Sequence, residues 1–281
     1  MGQMIKGLLF GGCSFTWGQG LYHYSNLSNL PATSENHSFN SKAVTEAMIR
    51  HKNSLRFPRL VANQLNTFEV CKEDVGFLLG NGGSEDETFD FFNYIFNVER
   101  RFSYQDFSHI IIQLTNPYRS YFEFELNGVL CKTKISNTYL YNGIDDDVVG
   151  GKEFDEYCNL HNYTVDDIQE QHLIKQYKRL KEKVIFYNKK GIDVKIICWF
   201  DDVLSCSKGD RFFNDKIIKI KNKNKVFGTI MNLMKSEDEM TIEGDFRKNK
   251  NRHVSDVHPS KECHQIIANS IIDNLTDKNL I

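Results

Sequence analysis

Ile5-Lys6-Gly7-Leu8-Leu9-Phe10-Gly11-Gly12-Cys13-Ser14-Phe15-Thr16 opens on an apolar run, breaks at two glycines and presents a serine two positions later. The run Ile5 to Phe10 predicts a first strand, buried on both faces apart from Lys6. A short apolar segment ended by turn residues suits a parallel strand covered by helices. The glycine pair permits a tight strand-to-helix turn. Ser14, just past that turn, either presents its hydroxyl or caps the following helix by accepting a free backbone N–H.

Further strands are predicted at Thr67 to Cys71, Phe107 to Leu114, Val194 to Phe200 and Lys225 to Ile230. Phe107 to Leu114, with Ile110, Ile111 and Ile112 in succession, is the clearest. Helices are predicted from Lys42 to about Lys52, and from Pro58, which suits a first turn because its missing N–H is not needed there. Another follows Gly80-Asn81-Gly82-Gly83-Ser84, where Glu85, Asp86 and Glu87 complement the helix dipole and Phe89, Phe92, Tyr94, Ile95 and Phe96 form a broad face. The last two cover Val165 to Asn188 and Ser260 to Asn274. Residues 21–40 and 235–255 read as loops. Residues 1–281 read as one domain carrying an insertion at about 120–190, with hairpin or short helical pieces because a bare loop of that length is uncommon. The alternation of strands and helices predicts an α/β fold, a three-layer α/β/α sandwich with a central, mainly parallel sheet. Ligands in such sheets bind beyond the carboxyl ends of the strands. Ser14, Gly83, Thr115, Asn116 and the Asp256/His258 loop all fall at or near such ends.

Composition narrows the options. The net charge of −2 gives no broad attraction to nucleic acid or to an anionic membrane. Lys216 to Lys225 reads as a solvated helix or loop rather than a binding surface. The seven cysteines are scattered without CxxC spacing, which fits buried thiols better than a disulfide framework or a zinc site. No cofactor or metal is implied. No stretch is long and apolar enough for a membrane span, and no signal-peptide core is visible. A cytoplasmic location is the default expectation, with a virion or signal-peptide-independent release as the other settings.

Near the other end, Ser255-Asp256-Val257-His258-Pro259-Ser260 precedes the last helix. A serine hydroxyl needs an imidazole to take its proton and a carboxylate to orient that imidazole. Pro259 restricts His258 to extended backbone, and Asp256, two positions earlier, can then point to the same side. The other reading is a capping Asp and a surface His. His253 and His264 are weaker bases, His264 because it falls inside the helix. Glu243, Asp245 and Glu262 are the remaining nearby acids.

Gly12-Cys13-Ser14-Phe15-Thr16 resembles the first block of the SGNH hydrolase superfamily, the GDSL-like lipases and esterases. Gly82-Gly83-Ser84 resembles the second block and Asp256-Val257-His258-Pro259-Ser260 the terminal one. Ile112-Gln113-Leu114-Thr115-Asn116-Pro117-Tyr118-Arg119 and Arg56-Phe57-Pro58-Arg59-Leu60 are similar to segments of poorly characterised bacterial and phage SGNH-like proteins. The resemblance implies a flavodoxin-like sandwich, Ser14 as nucleophile, His258 as base and Asp256 as its partner. It places the Ser14 and Gly83 backbone N–H groups at the oxyanion, completed by Asn116 or Thr115. The usual third block ends Gly-x-Asn-Asp, so strict spacing selects Thr115 and side-chain chemistry selects Asn116. The usual terminal spacing is Asp-x-x-His, which would put Ser255 at the carboxylate position; the Asp-x-His variant fits this chain. Arg119 either binds a substrate anion or forms a structural ion pair, and Trp17 is a candidate substrate contact.

The resulting expectation is a serine ester hydrolase working through an acyl-enzyme on a small-molecule or glycan ester, with a carbohydrate O-acetyl esterase as its most specific form. The competing expectation is a noncatalytic carbohydrate-binding or virion structural protein on the same scaffold.

Overall fold

A computed structural model describes residues 6–13, 16, 18, 21–25, 46–75, 77, 85–115, 117, 120–133, 152–200, 202–205, 210–249, 254 and 256–276. In chain order the elements are β1 (Gly7–Gly11), α1 (Glu46–Leu55), α2 (Phe57–Gln64), β2 (Glu69–Val70), α3 (Glu85–Asn93), β3 (Phe107–Leu114), β4 (Phe122–Leu126), β5 (Val129–Thr133), α4 (Lys152–His161), α5 (Val165–Lys189), β6 (Asp193–Cys198), α6 (Asp202–Ser205), β7 (Ile220–Asn222), β8 (Lys225–Phe227), α7 (Ile230–Met234), α8 (Ile242–Asn249) and α9 (Lys261–Thr276). Among the described residues no helix is long and apolar enough to cross a membrane.

Four parallel strands form the central sheet in the order β2-β1-β3-β6. Leu9 aligns with Val70 on one side and Ile110 on the other, and Ile112 aligns with Ile196. The pleat sends alternate side chains to opposite faces, and each face has its own core. Leu8, Phe10, Ile111 and Ile197 pack with Phe57 and Val61 of α2 and with Cys263, Ile267 and Ile271 of α9. Leu9, Ile110, Ile112 and Ile196 pack on the other side with Phe89 and Phe92 of α3 and with Leu180 and Val184 of α5. This is the α/β architecture expected from the sequence, with a parallel sheet buried on both faces.

Two readings require correction. Lys225 to Ile230 is not the fifth strand of the sheet. Its first residues form β8, which pairs antiparallel with β7 outside the sheet. The fifth position is taken by a bridge between Ile217 and Ile196, with the Ile196 N–H donating to Lys216 O at 2.8 Å and the Ile218 N–H to Ile196 O at 2.7 Å. Ile218 and Ile220 are fully buried while Lys225 and Val226 are exposed. Burial therefore selects the isoleucines, which the surrounding lysines obscured in the sequence. Nor is 235–255 simply a loop, because it contains a 3-10 turn at Asp238–Met240 and α8. One apolar stripe suffices there: Ile242 and Phe246 pack with Val254 and Tyr24, and the charged residues remain in water.

The 120–190 region, expected to be an insertion, contains a β4–β5 hairpin and α4 before α5. Phe122, Phe124 and Leu126 face inward while Glu123 and Glu125 face solvent. Asn127 and Gly128, at φ 52° and 78°, make the two-residue turn that favours these residue types. With Phe154 and Ile168 the hairpin forms a satellite cluster separate from the two sheet cores.

Candidate active site

The order of the parallel strands reverses between β1 and β3, since the chain passes from β1 to β2 on one side and then to β3 on the other. Crevices at such points, beyond the carboxyl ends of the strands, are where open α/β sheets bind ligands. Gln113, near the end of β3, holds the segment that leaves β1. The Thr16 hydroxyl donates to Gln113 Oε1 at 2.6 Å, and Gln113 Nε2 donates to Cys13 Sγ at 3.2 Å. All three side chains are buried. A side chain at position 12 would have its Cβ 2.7 Å from Gln113 Cβ, so the second glycine allows β1 and β3 to be bound together at this level. Thr115, the first residue past β3, is also buried. Beyond it, the Pro117 carbonyl lies 3.0 Å from His172 Nε2 of α5. Burial lowers the pKa of His172, and its bond to Pro117 only partly opposes this.

The terminal segment is built differently. Thr241 and Pro259 form an antiparallel bridge, the Glu243 N–H donates to Asp256 O at 2.8 Å, and the Ile242 N–H donates to His258 O at 2.9 Å. The start of α8 thus holds the Asp256–His258 loop by its backbone. Ser260 Oγ accepts the Cys263 N–H at 3.2 Å, capping α9. Asp256 Oδ1 accepts the His258 backbone N–H at 3.0 Å and lies 2.7 Å from His258 Nδ1. Burial works against ionisation of Asp256, but the neighbouring His23 and His258 outweigh it and hold the carboxyl well below the usual range. An ionised carboxylate only accepts, so Nδ1 carries the proton and the neutral ring has its lone pair on Nε2. The carboxylate is buried, whereas the imidazole remains 19% exposed.

The neighbouring groups have other tasks. Asp245 lies on α8, accepting the Tyr24 hydroxyl and the Asn249 amide, each at 2.6 Å. Burial, reinforced by Asp245, raises the Tyr24 phenol. Glu262 is exposed, and Glu243 lies 3.7 Å from Arg247 one helical turn on. His264 is fully buried on α9, where its Nδ1 accepts the Phe57 N–H at 3.2 Å. It therefore supports the start of α2. Burial, together with His258 and Arg56, lowers its pKa to about 3, so the ring stays neutral.

Among the expected site residues, Asp256 and His258 are brought together and Thr115 sits at the end of β3. Ser14, Trp17, Gly83, Asn116 and Arg119 lie outside the described residues. Gln113 and His23 were missed by sequence reasoning. Gln113 was visible only as a polar residue following three isoleucines in the strand, and a loop histidine carries no such signal. Among the described residues no three His, Cys, Asp or Glu side chains are grouped as metal ligands would be.

No family model matches the chain. No curated protein matches it either. Among solved structures it is similar, at 14% identity and a TM-score of 0.43 over 100% of this chain and 71% of the other, to a carbohydrate esterase whose active site displays divergent catalytic and non-catalytic binding functions. A likeness this distant carries no argument about activity.

Proposed function

We propose that this chain is a serine ester hydrolase of the SGNH type, with Ser14 as nucleophile, His258 as base and Asp256 as the carboxylate that orients it. The observation that carries the reading is the Asp256–His258 pair, in which a buried carboxylate fixes Nδ1–H and leaves Nε2 of a part-exposed imidazole to accept a proton. The sheet order β2-β1-β3-β6, extended by the Ile217 bridge, supports a flavodoxin-like arrangement.

In this mechanism Ser14 Oγ attacks the ester carbonyl while its proton passes to His258 Nε2. The Ser14 and Gly83 backbone N–H groups, with Asn116 or Thr115, bind the developing oxyanion. Collapse expels the alcohol, which takes the proton from His258, and leaves an acyl-enzyme. Water then attacks the acyl carbonyl as His258 takes its proton, and the acid departs as Ser14 regains its hydrogen. An O-acetylated carbohydrate is the proposed substrate class, with Trp17 and Arg119 in contact with it. A fluorophosphonate probe should label Ser14 in the parent, and Ser14→Ala should abolish both labelling and hydrolysis of a chromogenic acetyl ester. A folded parent that is neither labelled nor active would replace this reading with a noncatalytic binding protein.

A further inference from the structure

His23 lies on the 3-10 turn Leu21–Tyr24, which follows the segment leaving β1. The turn hangs from Gly18, whose carbonyl accepts the Leu21 N–H at 3.1 Å. On its far side it meets α8: the Tyr24 ring packs 5.0 Å from Phe246, and the His23 ring stands edge-on to Phe246 at 6.1 Å. This seating places His23 Nε2 3.5 Å from Asp256 Oδ2, with both side chains 1% exposed. The distance lies beyond the ordinary N–H···O range of about 2.7–3.2 Å, so the contact is a loose one. The two carboxylate oxygens are therefore divided, Oδ1 toward His258 and Oδ2 toward His23. Rotating the carboxylate would disturb both contacts at once.

We propose that His23 is a positioning residue: its Nε2–H holds Asp256 Oδ2, fixes the plane of the carboxylate and so fixes the tautomer and orientation of His258. The segment leaving β1 and the terminal segment are then joined through one carboxylate, although they come from opposite ends of the chain. A buried carboxylate oxygen without a donor is costly, so this role does not require His23 to touch the substrate.

Two substitutions separate hydrogen bonding from packing. His23→Phe keeps an aromatic ring against Phe246 but removes the donor. His23→Gln places an amide N–H near the position of Nε2. The full-length proteins, labelled with 15N on the imidazole, report the His258 tautomer directly by NMR, and an accepted acetyl ester reports kcat and KM. The parent and His23→Gln should show one tautomer, protonated on Nδ1. His23→Phe should show a mixture, with kcat reduced roughly ten- to hundredfold, as expected for losing a hydrogen bond to a charged group, and KM little changed. If His23→Phe does not fold, His23→Asn takes its place, its amide being too short to reach Oδ2.

The kinetic arm rests on the proposed esterase function and the spectroscopic arm does not. A parent that hydrolyses no ester but shows the tautomer change on losing the donor would sink the esterase reading and keep the His23 role. A folded donor-less variant with the parental tautomer would overturn the His23 role. So would a His23→Gln protein that loses the tautomer as fully as His23→Phe.

Discussion

The segment leaving β1 and the segment entering α9 are both held by buried polar side chains, but with opposite chemistry. At β1 the holding group is the neutral Gln113 amide, which engages a hydroxyl and a thiol. At α9 it is an ionised carboxylate between two imidazoles, with a third imidazole, His264, fully buried on α9. A neutral clamp gives the same geometry at any ordinary pH. A charged one ties geometry to protonation. The contrast suits a site in which one end must only present a group and the other must accept and return a proton.

The sharpest way to break this contrast is Asp256→Asn. The amide keeps much of the shape but can donate where the carboxylate only accepts, favouring the wrong His258 tautomer. Such a change costs about 10⁴ in a serine protease. Ester leaving groups demand less of the base, so kcat here should fall on the order of 10²- to 10³-fold with the fold intact by circular dichroism. Near-parental turnover would mean that the carboxylate does not orient the base.

At the neutral end, Gln113→Leu leaves the buried Thr16 hydroxyl without its acceptor. Stability measured by urea denaturation should drop by about 1–3 kcal/mol, the cost of an unsatisfied buried polar group. The loss should be the same at pH 6 and pH 8, because the Gln113 amide and the Thr16 hydroxyl carry no charge in this range. A strongly pH-dependent loss would refute the description of this end as neutral.

The smallest effect tests the charged surroundings through His264. Its folded pKa of about 3 lies below the ordinary value of 6.5. Between those values the unfolded chain binds a proton that the folded chain does not, so stability falls as pH drops from 6.5 toward 3. His264→Asn keeps an acceptor near Nδ1 for the Phe57 N–H but does not titrate. Between pH 6.5 and 5.5 the parent should lose up to about 1 kcal/mol more than the variant, since one full proton is worth about 1.4 kcal/mol per pH unit. Equal pH dependence in the two proteins would remove His264 as a source of acid sensitivity. Asp256 acts lower on the scale: its folded pKa is depressed, so its contribution is present above the ordinary carboxylate pKa and is lost as pH falls through the folded value.

Strands β1, β3 and β6 were legible because their apolar runs are long and bounded by turn residues. Helix α5 was legible from length and spacing, and its start carries a reciprocal cap between Thr164 and Asp167. The fifth sheet position was hidden because Ile217 and Ile218 sit in a lysine-rich run, and α8 because Ile242 and Phe246 are its only large apolar residues. In the site, Asp256 and His258 were found because they are close in sequence and the terminal motif is local. Gln113 lies 100 residues from Cys13, and His23 lies still farther from Asp256. Pairings of that kind are created by the sheet and leave no spacing to read.

β1 is the first strand among the described residues, yet it occupies an interior place in the sheet between β2 and β3. Leu8, Leu9 and Phe10 cannot be covered on the β3 side until the chain has reached the region of Phe107 and Ile111. At a synthesis rate of about 5–20 residues per second, that wait is roughly five to twenty seconds. During it, a segment destined for the deepest core has β2 on one side but an open, sticky edge on the other. The placement that gathers distant residues around one crevice therefore also leaves the newborn chain with an open, aggregation-prone strand edge while its sheet is incomplete.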